Sequence, residues 1–476
     1  MSDQRNENLG PGTQNLEGTG GAARAGNLEP GAGNLESGIK CLEAGGTGAA
    51  ALPPALSSEA KPSAADPFFS GRKHYPTLDG LRGVAILMVM VFHYCGPIPE
   101  RYRELIGPVV GYGWTGVDLF FVLSGFLITG ILYDSKGQEH YFKNFYARRV
   151  LRIFPLYYGV LAVVTLALIG ADAAHIAGFR AIPEPHKMWW AMPWLWTYTV
   201  NIYVGLGRSV PYLSHFWSLS VEEQYYLVWP IAVYLLSGRS LVKLCLALWV
   251  GALLVRLGLF FTPHWAAFAY NLMPARMDAL AAGALASLLV RRIERGRVYP
   301  VARFLFCASS VLVFGVLTAT AVPALAATMN PARWCNGTAS AFRIWAGIWN
   351  NGFSYTLASV FFSSLLLACL YPGALLGVPG RLFNLAALRT VGKYSYGLYV
   401  FHVPLWIASM TLIQREGLWS RFRTSLSFFL AVALANAILV SVLAYASYHL
   451  YEKRFLKLKK NFPERAAAAK PITTDH

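Results

Sequence analysis

Long apolar runs, punctuated by short clusters of arginine and lysine, occupy the chain from Leu81 onward. A helix rises about 1.5 Å per residue, so roughly 20 apolar residues cross the hydrocarbon of a bilayer. Ten runs read as such spans: 82–97, 116–133, 155–171, 222–238, 241–262, 266–290, 301–322, 353–371, 394–413 and 425–449. Barrel strands would instead show alternating segments of about ten residues. The pattern therefore predicts an all-α fold, a polytopic transmembrane helical bundle. One further run, 188–207, is apolar enough to cross, but a crossing there would invert everything after it. Its four tryptophans and Tyr198 suit a membrane interface, so it reads as an interfacial or re-entrant element of an external region, about 172–221.

The N-terminal 66 residues differ in kind. They are rich in Gly, Ala, Ser and Pro, hold no aromatic residue, and repeat Asn-Leu at Asn8, Asn15, Asn27 and Asn34. Such a stretch buries too little surface to offset chain entropy. Residues 1–70 are expected to be a disordered cytoplasmic tail, 71–456 the transmembrane domain, and 457–476 a basic cytoplasmic tail.

Composition narrows the class. The 476 residues are 55% hydrophobic and only 14% charged, against about 25% charged in an ordinary soluble protein. Six cysteines with no C-x-x-C spacing exclude a disulfide scaffold. The net charge of +17 does not indicate nucleic acid, because the basic residues sit between apolar runs rather than on one polar face. They collect instead on one side of a ten-span topology, among them Lys136, Lys143, Arg148, Arg149 and Arg152, then Arg291, Arg292, Arg295 and Arg297, and the run from Lys453 to Lys460. Basic loops face the cytoplasm. Both termini are therefore expected there, with 414–424 the one outer loop that runs against the rule.

Charged side chains within hydrocarbon are costly and mark function. In the first span Arg82 and His93 are eleven residues apart. At about 100° per residue this is three turns plus about 20°, so both share one face, about 16 Å apart along the axis. Asp118 opens the second span, where contact with water is one explanation for it. Arg148, Arg149 and Arg152 suit a phosphate-rich ligand, since guanidinium grips phosphate with paired hydrogen bonds, although an inner loop is basic in any case. Glu222 and Glu223 stand at the mouth of a helix, as N-terminal caps or as partners that set a histidine's basicity. Arg276 and Asp278 lie deep in the sixth span, where an internal ion pair is the simplest account. Tyr394 and His402 belong to a late polar run. No P-loop, H-E-x-x-H or Cys/His metal set occurs, so no metal is expected.

Taken together, Leu78–Gly83 with Arg82-x10-His93, Gly116–Gly125, Arg149-x-x-Arg152, Trp217–Tyr226, Arg276–Asp278, Ser395–His402 and Tyr451-Glu452 resemble, in order, the acyltransferase 3 family of integral membrane O-acyltransferases. The resemblance implies transfer of an acyl group, commonly acetyl from acetyl-CoA, to a hydroxyl of a carbohydrate or glycoconjugate acceptor. It points to a bacterial inner membrane. Some relatives carry a fused external hydrolase-like domain; this chain ends about 25 residues past its last span and is expected to lack one.

On that basis CoA would dock from the cytoplasm with its phosphates near Arg148, Arg149 and Arg152. His93 would act as general base or carry the acyl group, with Glu222 or Glu223 orienting its ring. Arg82, Tyr394 or Arg276 would stabilise the oxyanion, and Asp118, Asp278 and His402 would contribute to the substrate site. The chief rival is a secondary transporter of a polar or anionic solute, with the same charges lining its path. A non-catalytic scaffold gives no reason for so many charges within the spans.

Overall fold

The computed structural model describes residues 75–99, 102, 106–107, 109–173, 185–329, 348–370 and 378–463. They fall within one compact unit, Ala60–His476. The tail expected at 1–70 and the end of the basic segment beyond 463 lie outside the described residues. Among the described residues there is helix and no strand.

The longer helices, in chain order, are α1 (Pro76–Tyr94), α2 (Gly116–Asp134), α3 (Tyr141–Ala173), α4 (Pro185–Trp196), α5 (Val200–Gly205), α6 (Trp217–Leu235) and α7 (Gly238–Leu259). They continue with α8 (Trp265–Asn271), α9 (Met273–Arg292), α10 (Arg295–Met329), α11 (Ser354–Leu370), α12 (Ala386–Lys393), α13 (Ser395–Arg415) and α14 (Leu426–Ser447). Nine helical segments among the described residues are long and apolar enough to cross a membrane. The segment read from the sequence as 222–238 is α6, which starts at Trp217 and is diluted by its two glutamates.

Three of the differences from the sequence reading have clear local reasons. The apolar run read as the third span starts at Pro155. In fact Pro155 lies inside α3, and Arg148, Arg149 and Arg152 ride on its early turns instead of in a loop. The Ile153 and Pro155 carbonyls accept hydrogen bonds from the Tyr396 and Tyr451 hydroxyls. The run 266–290 is two helices, because Leu272 is extended (ψ 137°) and α9 restarts with Pro274 in its first turn. The run 188–207 is likewise two pieces, α4 and α5, of 12 and 6 residues, broken near Tyr198 at φ 54°. Neither piece is long enough to span. They are held by Tyr157 and Tyr158, which donate to the Leu195 and Trp196 carbonyls, and by Gln224, which donates to the Tyr198 carbonyl.

Helices α2, α9 and α11 form the interior, and α7, α10 and α14 the rim. On α14 the side chains of Leu430, Leu434, Ile438 and Val442, four residues apart, all stand exposed. In an isolated chain that stripe marks a surface for lipid. Inside, small residues let backbones touch. A Cβ on Gly125 of α2 would meet the Leu280 carbonyl of α9, and one on Gly283 of α9 would meet the Val122 carbonyl of α2. Gly83 of α1 and Gly392 of α12 form a second such crossing, since a Cβ on Gly83 would meet the Leu388 carbonyl and one on Gly392 the Asp79 carbonyl.

Gly283→Val should therefore force α2 and α9 apart and destabilise the protein by about 1–3 kcal/mol. Gly251→Ala on α7, where a Cβ meets nothing, should be neutral or stabilising by up to about 1 kcal/mol. Unfolding temperatures of the two detergent-solubilised variants check the contrast.

Candidate active site

Two chambers open within the bundle, one toward each end. The first, a narrow cavity of about 110 Å³, is lined by Arg82 of α1, Ser124 of α2, Arg149 and Arg152 of α3, and Glu222, Glu223 and Tyr226 of α6. Three guanidinium groups face two carboxyls here. Ser124 donates to Glu222 Oε1 at 2.7 Å and contacts the Tyr226 hydroxyl at 3.0 Å. Arg82 keeps about a third of its side chain open and stands 3.8 Å from Asp79.

The second chamber, about 620 Å³, is lined by His93 at the end of α1, by His215, and by the rings of Trp114, Trp217, Tyr270 and Tyr355. Val117 and Tyr399 border both chambers. The Tyr399 hydroxyl donates to the His215 carbonyl at 2.8 Å and contacts Ser218 Oγ at 2.5 Å. Ser218 itself faces the first chamber. One hydrogen-bonded side chain thus stands in the partition.

The histidines form a chain whose tautomers follow from the acceptors around them. His402 is fully buried, with Nδ1 2.7 Å from the Tyr399 carbonyl. A carbonyl only accepts, so Nδ1 bears the hydrogen and a neutral ring keeps Nε2 as acceptor. His93 Nδ1 lies 2.9 Å from the Val89 carbonyl and 3.3 Å from His402 Nε2. Both are acceptors, so His93 also carries its hydrogen on Nδ1. Its Nε2 is left with a lone pair. His215 packs 5.0 Å from His402, centroid to centroid. It is buried, and no well-formed hydrogen bond reaches either of its ring nitrogens. Burial, and then the nearby His93, push its pKa down to about 3, so the ring is neutral at ordinary pH.

Behind the aromatic wall lies a crossed ion network. Arg276 pairs with Asp118, and Arg256 Nη2 pairs with Asp278 Oδ2 at 2.7 Å; all four side chains are fully buried. Arg256 also donates to the Gly352 and Ala275 carbonyls and to Thr356. The guanidinium of Arg276 sits 4.2 Å from the Tyr355 ring centre and within 6 Å of those of Trp114, Trp217 and Tyr270. One cation therefore braces four rings of the second chamber.

The residues singled out from sequence separate into groups. Arg82, Arg149, Arg152, Glu222 and Glu223 share the first chamber; His93 belongs to the second, with His402 against it. No carboxylate of Glu222 or Glu223 hydrogen-bonds His93. On α6, Glu222 lies four residues beyond Ser218, about 6 Å further from the partition, and the ring partner of His93 is His402. Asp118 is buried instead of facing water, and Arg276 and Asp278 pair with other helices instead of with each other. Tyr394 borders neither chamber; its hydroxyl meets His449 Nε2 at 3.1 Å. Arg148 donates to the Lys459 and Phe462 carbonyls, tying α3 to the C-terminal segment. Sequence reasoning passed over Arg256, although it is a charge inside an apolar run, the signal that flagged Arg276. Tyr399, Ser124 and His215 were not chosen as site residues either, although Ser124 and Tyr399 fall within the motifs Gly116–Gly125 and Ser395–His402 and His215 is titratable like His93. Among the described residues no cluster of three His, Cys, Asp or Glu is placed to hold a metal ion.

A polytopic helical membrane protein with titratable and cationic groups converging inside its bundle defines the class. Residues 75–446 match the family described as acyltransferase domain, the acyltransferase 3 group, and the chain belongs to that family. Among curated proteins it is 27% identical over 401 residues to the putative peptidoglycan O-acetyltransferase YrhL of Bacillus subtilis, covering 80% of this chain and 55% of that protein. It is 33% identical over 161 residues to peptidoglycan O-acetyltransferase OatA of Listeria monocytogenes, covering 33% and 24%. A putative O-acetyltransferase of Staphylococcus aureus, SACOL0978, is 30% identical over 200 residues, covering 39% and 29%. The chain thus spans about half the length, or less, of these relatives. No solved structure matches it.

The ion network sets an expectation of its own. Asp118→Ala should destabilise the fold by about 3–5 kcal/mol, because it strands a buried guanidinium. Pairing it with Arg276→Met should recover much of that loss. A double-mutant cycle on unfolding temperature measures the coupling.

Proposed function

We propose that this chain is a membrane O-acetyltransferase that takes acetyl from acetyl-CoA on the cytoplasmic side and passes it to a hydroxyl of a carbohydrate acceptor. The observation that carries the reading is the meeting of two chambers at Val117 and Tyr399, with arginines in one and an imidazole bearing a free Nε2 in the other. Family membership and the names of the relatives favour acyl transfer over the transporter reading. The arginine-rich end faces the cytoplasm by the rule for basic segments, in a bacterial plasma membrane with both termini inside.

In this reading the diphosphate and ribose phosphate of CoA lie at the mouth of the first chamber against Arg149 and Arg152. The narrow cavity admits only the thin pantetheine arm, which carries the thioester past Arg82 toward the partition. The acceptor hydroxyl lies in the second chamber beside His93. Nε2 takes its proton as the oxygen attacks the thioester carbonyl carbon, forming a C–O bond and a tetrahedral oxyanion. The C–S bond then breaks, the thiolate leaves, and the imidazolium returns the proton to sulfur. The products are the acetyl ester and free CoA. His402 holds the His93 ring and the tautomer this step needs, the place expected of a carboxylate. Glu222 and Glu223 instead balance the arginines of the donor chamber. The aromatic walls of the acceptor chamber suit the apolar faces of sugar rings.

His93→Ala should lower acetyl transfer by at least about 10³-fold while acetyl-CoA still binds. His402→Ala should lower kcat by about 10²–10⁴-fold, because the His93 ring loses the partner that fixes its orientation and tautomer, and should change the pH profile. Radiolabelled acetyl transfer by the purified protein checks both, and undiminished turnover in the His93 variant refutes the mechanism. Arg149→Ala and Arg152→Ala should each raise KM for acetyl-CoA by about 10–100-fold, the worth of a charged hydrogen bond, with a smaller change in kcat.

A further inference from the structure

Two buried polar side chains line the second chamber and take no part in the reaction above. They are Asn271, the last residue of α8, and His215, two residues before α6, both 3% exposed. Asn271 Nδ2 donates to the Ala267 carbonyl at 2.7 Å. A carbonyl only accepts, so this bond fixes the amide with its oxygen turned the other way. Among the described residues no donor reaches Asn271 Oδ1, and no well-formed hydrogen bond reaches either ring nitrogen of His215. The Val400 and Tyr399 carbonyls approach that ring. A neutral imidazole has one hydrogen to give them, so at least one nitrogen keeps its lone pair. Burying an acceptor without a donor costs stability, and an apolar residue of similar size avoids the loss. Here the loss occurs twice against one chamber. His93, whose Nε2 also keeps a lone pair, lines the same space. The rings of His93 and His215 each stand 5.0 Å from that of His402, centre to centre. Asn271 follows Tyr270, whose ring centre is 4.6 Å from that of Trp217.

We infer that Asn271 and His215 select the acceptor, each accepting a hydrogen bond from a hydroxyl that is not itself acetylated. The inference rests on the proposed function and deepens it, because these two contacts decide which hydroxyl meets His93. Three acceptors around one chamber match a ligand with several O–H donors, whereas a simple alcohol satisfies His93 alone. A ligand that lacks one hydroxyl leaves its protein partner buried and unpaired. That penalty, more than the lost attraction, gives such sites their discrimination. The alternative, that both groups merely pack, leaves two stranded acceptors unexplained. The same bonds set the regiochemistry. With two hydroxyls held, the ring presents one set position to His93 Nε2.

The test uses the full chain in detergent with the methyl β-glycosides of glucose, galactose and N-acetylglucosamine, each alongside its monodeoxy analogues. Dissociation constants are read from shifts in unfolding temperature. At least one parent sugar should bind, and loss of one hydroxyl should weaken it about 5–100-fold, the worth of leaving a buried acceptor unpaired. Asn271→Leu should bring that parent down to the level of the deoxy analogue, while the analogue's own affinity stays within about twofold. His215→Phe, which keeps the packing of the ring, should do the same for a different hydroxyl, and it carries the test if the first variant does not fold. A parent sugar that binds no better than any of its analogues overturns the inference. So do folded variants that weaken every ligand alike or none, and three parents that all fail to bind. Binding does not depend on turnover. A protein that shows this coupling but never transfers acetyl refutes the proposed reaction, whereas one that transfers acetyl without the coupling refutes this inference alone.

Discussion

The pairing of Arg276 with Asp118 is the interaction on which the rest of the interior depends. A guanidinium sealed inside a bilayer-embedded bundle is tolerable only with a counter-charge in contact. Arg276 finds it on another helix, so the pair joins α9 to α2. Gly125 and Gly283 make the approach close enough. No oxygen reaches Nε or Nη1 of Arg276, and aromatic rings surround the group instead. Four of those rings then form the wall of the second chamber. The same charge that fixes two helices therefore also fixes the surface a substrate would meet. The second pair, Arg256 with Asp278, extends this bracing to α7 and, through Thr356, to α11.

From that frame the histidine chain acquires its direction. Two helices that begin at the arginine-rich end, α1 and α13, bring His93 and His402 together. The Tyr399 and Val89 carbonyls, both acceptors, fix which nitrogen of each ring bears hydrogen. A carboxylate in the place of His402 would be a stronger partner for an imidazolium, but it would bring another charge into a dry region. A neutral ring orients His93 at lower desolvation cost. The carboxylates stay in the first chamber, where arginines offset them.

Much of this was legible in the sequence, and the limits have physical causes. Spans are legible because each helix in lipid must satisfy its own backbone, so hydropathy alone reports them. The shared face of Arg82 and His93 on one helix followed from helical geometry applied to one short stretch; that the two line different chambers did not. Partners across helices were not legible. Nothing local links Asp118 to Arg276 or Arg256 to Asp278, because those pairs are made by packing, not by spacing along one helix. For the same reason Glu222 and Glu223 were read as the imidazole's partners. They are the nearest carboxylates in kind, and only the fold shows them on the far side of the partition. Arg148 and Tyr394 illustrate the converse. Their residue types suit phosphate and oxyanion chemistry, yet one ties down the C-terminal segment and the other meets His449.

The partition itself explains why such a reaction would sit in the middle of a membrane. A CoA thioester is a polyanion and cannot cross hydrocarbon, whereas an acetyl group is small and uncharged. If the donor and acceptor approach from opposite faces, only the acetyl carbon has to pass the boundary. The bundle then needs no open channel between the faces, only a contact point narrow enough to exclude everything larger. Tyr399 borders both chambers and stands at that point, its hydroxyl held by Ser218 and by the His215 carbonyl one turn before it.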